Sequence, residues 1–162
     1  MKWYTMDKQE VDLIETLIPL LSSKNVVIHI GTDAQARGKL NKADFVTVVC
    51  VHDIDVNNVG HGARLFHWKD KNVKTHSLWE KLYGETERSL RIAVQLSDEF
   101  GDSVRDRILV HVDANPDPIY KSSNYVKQLA GMVMGYGFKH VLKPDAYVAS
   151  HAADHIVKGK SN

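Results

Sequence analysis

The chain has 162 residues, of which 43% are hydrophobic and 25% charged, with a formal net charge of +1 and a single cysteine, Cys50. This length is enough to bury a real core within one domain, and the composition excludes fibrous, disordered and low-complexity classes. Near-neutral charge argues against polyanion binding driven by bulk charge, and a lone cysteine excludes an internal disulfide and fits a reducing compartment.

No apolar run is long enough to span a bilayer, and the first residues, with Asp7, Glu10 and Asp12, lack the layout of a signal peptide. The expectation is a cytoplasmic protein without a membrane partner. Asp7 followed by Glu10 reads as a capping box, and Val11, Ile14, Leu17, Ile18 and Leu21 recur at helical spacing. Residues 1–24 are therefore expected to form a helical extension, kinked or ended by Pro19, ahead of a core over 25–158.

Residues 26–30 read as a buried strand that carries an unexpected histidine, His29, and runs into Asp33 as it ends. A polar loop with Arg37, Lys39 and Lys42 follows, then a second strand over 45–51, turn chemistry over 57–60 and a third strand over 63–68. The short links make these three strands an antiparallel meander. From residue 77 to 100 the period becomes helical, with Leu78, Leu82, Ser89, Ala93 and Leu96 along one stripe and Gly101 at the close. A fourth strand over 108–112 runs into Asp113, a helix spans about 123–134, and a fifth strand covers 138–142. After the turn Lys143-Pro144-Asp145, a final helix is expected over 147–157.

A strand, helix, strand order implies right-handed parallel crossovers, so the fold class is α/β: a mixed five-stranded sheet with helices on both faces. The first and fourth strands become parallel central neighbours, which brings their C-terminal ends, Asp33 and Asp113, to one edge of the sheet. Two carboxylates brought together there need a cation, and the chemistry this suggests is metal-dependent cleavage of a phosphodiester.

Three stretches carry a family likeness: Ile30-Gly31-Thr32-Asp33-Ala34-Gln35, His111-Val112-Asp113-Ala114-Asn115-Pro116-Asp117, and Gly137-Phe138 through Lys143-Pro144-Asp145-Ala146-Tyr147 to Ala153-Asp154. In their order and spacing the chain resembles the ribonuclease H-like superfamily, and more narrowly its bacterial YkuK-type family, over nearly its whole length after the first helix. The resemblance implies a carboxylate on the first strand, one on the first core helix, one at the fourth strand and one on the last helix, holding two Mg²⁺ or Mn²⁺ ions. Asp33 and Asp113 match directly. On the helix Glu85 shares the inner stripe, whereas Glu87 is turned by roughly 200° toward solvent. On the last helix Asp154 follows Ala152 and Ala153 and is chosen, with Asp145 in reserve. The implied partner is nucleic acid, whether RNA, DNA or hybrid. Gln35 stands where a second acid would mark the proofreading-exonuclease branch, which disfavours that branch.

Other readings stand beside these. His151 and His155 are four apart next to Asp154 and form the rival, zinc-like arrangement. By alternation His29 and His111 point to the acids' side of the sheet and read as core histidines bonded to neighbours. Arg37, Lys39, Lys42 and Lys121 are candidate phosphate contacts, equally well read as solvated, while Trp3, Trp68 and Trp79 are too dispersed for a stacking platform. The competing function is a non-catalytic module on the same fold that binds nucleic acid or protein.

Overall fold

Strand β3 (Val26–Arg37) pairs antiparallel with β4 (Lys42–Ile54) along its whole length, and β4 pairs antiparallel with β5 (Gly60–Lys74). This computed structural model describes residues 1–22, 25–38, 41–54 and 60–145. The meander expected from sequence is present, and its strands are longer than their apolar cores. Charged residues such as Arg37, Lys42, Lys69 and Lys74 extend them, because the pairing satisfies backbone groups whatever the side chain.

Helix α2 (Leu78–Phe100) follows, starting at Ser77, whose side chain accepts the Glu80 N–H at 3.1 Å, and closing at Gly101, whose φ of 85° suits glycine. The short helix α3 (Asp102–Arg105) leads into β6 (Ile108–Val112), which lies parallel to β3 with Ile28 beside Ile108 and Ile30 beside Val110. A 3₁₀ turn (Lys121–Tyr125) and a helix over Val126–Gly135 then return the chain to a strand over Lys139–Leu142, parallel to β6. Both parallel crossovers match the expected order.

The sheet has seven strands among the described residues, not five. The two additions, β1 (Trp3–Thr5) and β2 (Glu10–Val11), come from the segment expected to be helical. β1 pairs with β5 through Tyr4 and His67, covering an edge that would otherwise expose unpaired backbone groups. Helix α1 (Leu13–Leu20) begins only at Leu13, with Asp12 as its cap accepting from Glu15 N–H at 3.0 Å. Asp7 instead accepts the Thr5 hydroxyl within the turn between β1 and β2, so the Asp7/Glu10 capping box does not form.

Alternation along the strands sorts the side chains onto two faces. Ile28, Ile30, Val49, Val51, Ile108 and Val110 are buried in one cluster with Leu17 of α1, Leu90 and Leu96 of α2, and Leu129 and Val133 of the following helix, α3 aside. The opposite face carries Val46 and Val48, both buried, with Met6 and Leu65 packed against them. The final helix expected over 147–157 lies outside the described residues.

Candidate metal centre

β3 has two strand neighbours over only part of its length. β4 accompanies it from Val26 to Arg37, whereas β6 pairs with Ile28, His29 and Ile30. Asp33 therefore does not end its strand, as the sequence reading had it; it stands within β3, opposite Val46, because β4 holds the backbone extended. The strand that ends here is β6, and Asp113 follows its last residue, Val112. Carrying the Ile30–Val110 register forward three residues sets Asp33 level with Asp113.

Glu85 enters this gap from α2. The N–H of Ala34, on the side that β6 no longer covers, donates to Glu85 Oε1 at 3.1 Å. One helical turn further on, Ser89 bonds the Thr32 hydroxyl at 2.8 Å, which ties α2 to β3 and with it the reach of Glu85, and Thr32 in turn bonds Thr47 of β4 at 2.9 Å. Ligand oxygens of Asp33, Glu85 and Asp113 all lie within 4.8 Å of one another. Glu85 is 2% exposed and Asp33 7%.

Burial raises the Glu85 carboxyl well above the usual carboxylate range; Asp113 and Asp33 add to the rise, while Lys81 and the Ala34 N–H oppose it. Lys81 Nζ lies 3.7 Å from Glu85 Oε1, and Gln35 donates to Asp33 Oδ2 at 3.0 Å. Glu85 Oε2, fully buried, has no hydrogen-bond partner among the described residues. Three hard carboxylate donors, one with a buried oxygen that meets no hydrogen-bond donor among the described residues, fit a divalent cation of the Mg²⁺ or Mn²⁺ kind.

A model of the ribonuclease H-like family matches residues 9–158. The chain belongs to the ribonuclease H-like family. This match is at the level of the superfamily; the narrower YkuK-type likeness rests on the three sequence stretches alone. Among solved structures, the chain is similar to LC9-RNase H1, a type 1 RNase H with the type 2 active-site motif, at 13% identity and a TM-score of 0.46, covering 85% of this chain and 73% of that one. No curated protein matches it.

In this ribonuclease H-like chain, three of the four expected site residues come together and the fourth, Asp154, lies outside the described residues, as do His151, His155 and Lys39. Glu87 faces away and pairs with Arg91 at 2.7 Å, as its place on the helix required. Asp145 is exposed in the turn after Pro144. Arg37 is held by the buried Asp44, donating through Nε at 2.6 Å, and Asn72 N–H bonds the other Asp44 oxygen at 2.9 Å. Lys121 is exposed. His29 Nδ1 and His111 Nε2 bond each other at 2.8 Å, and burial, with the charges of His111 and His52, lowers the His29 pKa to about 4. Trp3 meets Trp68 within the core with rings tilted at 46°, and Trp79 meets Tyr83 and Tyr125 at ring distances of 5.6 and 5.3 Å.

Sequence reasoning missed Lys143. Its ammonium pairs with Asp113 Oδ1. Burial works to lower the Lys143 pKa, but the hydrogen bond and charge of Asp113, joined by Asp33 and Glu85, raise it above the ordinary lysine value. The signal was strand parity: Lys143 stands as far past the fifth strand as Asp113 stands past the fourth.

Proposed function

We propose that this chain is a metal-dependent nuclease, working as one ribonuclease H-like domain that hydrolyses nucleic-acid phosphodiester bonds. The observation that carries this reading is the meeting of Asp33, Glu85 and Asp113, donated by two parallel strands and a helix, with ligand oxygens within 4.8 Å of one another. A phosphodiester is itself anionic and repels an attacking hydroxide, so uncompensated carboxylates would only hinder it. Two Mg²⁺ or Mn²⁺ ions, held by these carboxylates, would supply a nucleophilic water and charge stabilisation at the entering and leaving oxygens.

Asp33 and Asp113 from the two parallel strands, with Glu85 from the helix, would hold the cations. Asp154, outside the described residues, is the fourth ligand that the family resemblance implies. Gln35 orients the Asp33 carboxylate by donating to Oδ2. The Ala34 N–H does the same for Glu85, leaving Oε2 for a cation.

The test is cleavage of end-labelled single strands, duplexes, RNA–DNA hybrids and branched junctions in Mg²⁺ or Mn²⁺. Cleavage of any of these that is lost in Asp33→Asn and Asp113→Asn supports the nuclease. Binding without cleavage in either ion supports the non-catalytic module instead.

A further inference from the structure

Lys143 is placed by the sheet and is no freely swinging surface lysine. The strand over Lys139–Leu142 (β7) runs parallel to β6 with Leu142 beside Val112, so the next pair along is Lys143 and Asp113, on one face. The Lys143 N–H donates to Ala114 O at 3.2 Å, which prolongs the ladder past both strand ends and fixes the lysine backbone beside the acid. From that anchor the ammonium reaches Asp113 Oδ1, with its side chain 44% exposed, and Asp33 and Glu85 lie within electrostatic range. The acids therefore face a tethered cation as well as one another.

We propose that Lys143 is a positioning residue and built-in counter-ion of the carboxylate cluster, one that a divalent cation must displace from Asp113 in order to bind there. The inference rests on the reading of the cluster as a metal site. Two considerations carry it. The Asp113 oxygen that meets the ammonium is a donor that a hard cation also needs, and one oxygen does not serve both at contact distance without strong repulsion between them. The lysine is also tethered through its own backbone, so its local concentration at Asp113 is high and a free ion competes against an intramolecular partner. Lys143 thus lowers the affinity of the cluster for divalent ions, while holding the Asp113 carboxylate turned toward Asp33 and Glu85.

Calorimetric titration with Mn²⁺ of the wild-type chain, Lys143→Met and Lys143→Arg tests this. Removing the ammonium is expected to tighten Mn²⁺ binding by about tenfold or more, while arginine, which keeps the charge, leaves it near wild type. Damage to the fold would weaken binding, so a gain separates competition from a merely structural role. A second measurement needs no variant: acetylation of Lys143 in the wild-type chain by a small amine-reactive reagent, read by mass spectrometry across the same Mn²⁺ titration. The expected result is labelling that rises with the calorimetric midpoint. Equal or weaker binding by a folded Lys143→Met, or labelling that ignores saturating Mn²⁺, overturns the role of the lysine and leaves the metal site standing. Absence of Mn²⁺ binding in both wild type and Lys143→Met overturns the metal site itself.

Discussion

The two halves of β3 obey different rules. From Val26 to Ile30 the strand runs beside β4 and, from Ile28, beside β6 as well, and its inward side chains Val26, Ile28 and Ile30 are buried among aliphatic neighbours. From Gly31 to Arg37 β4 continues alone on one side, and the other side is filled by side chains: Glu85 takes the Ala34 N–H, Asp33 faces Asp113, and Lys143 closes on Asp113. The first half stabilises the fold through apolar burial. The second half brings like charges together at a cost in stability, a cost that has a use only if a cation comes there. A single strand thus passes from scaffold to site at the residue where its parallel neighbour ends.

Substitutions in the two halves should separate these roles. The largest effect is expected at the acids: Asp33→Asn should reduce metal-dependent cleavage by a factor on the order of 10³ or more, with stability changed by no more than about 1 kcal/mol, as read from cleavage rates alongside denaturant titration. In the scaffold half the balance reverses. Ile28→Ala or Ile108→Ala, both at fully buried positions, should each cost about 2–5 kcal/mol of unfolding free energy while leaving Mn²⁺ affinity of the folded protein unchanged.

Smaller effects come from pH and from relieving the charge. His29 has its pKa lowered to about 4, so it favours the fold while neutral; its contribution is present above the ordinary value of 6.5 and is lost as pH falls through about 4. For this partly exposed ring the loss should be on the order of 1–2 kcal/mol, and His29→Gln should flatten that part of the stability profile. Glu85 has the opposite sign: its raised pKa means that its contribution is present below the ordinary carboxyl value and is lost as pH rises through the raised one. Glu85→Gln should therefore raise stability at neutral pH by about 1 kcal/mol, a gain that disappears in acid, while abolishing metal binding.

The scaffold half and the meeting of Asp33 with Asp113 were legible in the sequence. Alternation marked the strands, the order of elements implied the parallel crossover, and an acid after the apolar run of each parallel neighbour implied the shared edge. Glu85 followed from the helical stripe that also buries Leu82 and Ser89. What the sequence did not reveal depends on partners distant in the chain. Trp3–Thr5 is too short to announce itself as a strand and becomes one only because β5 offers a free edge. The extension of β3 past Asp33 is imposed by β4, since Ala34, Gln35, Ala36 and Arg37 have little strand preference of their own. Lys143 belonged to a turn by its neighbours, and only the β6–β7 register gives it a place at the acids.

The most direct test of the cluster as a metal site is calorimetric titration of Mn²⁺ into the wild-type chain and into Asp33→Asn, with circular dichroism to confirm that both are folded. Saturable binding by the wild type that is lost in Asp33→Asn is the result expected if the carboxylates of β3, α2 and β6 act as one site. Equal binding by both proteins, or none by either, would contradict it.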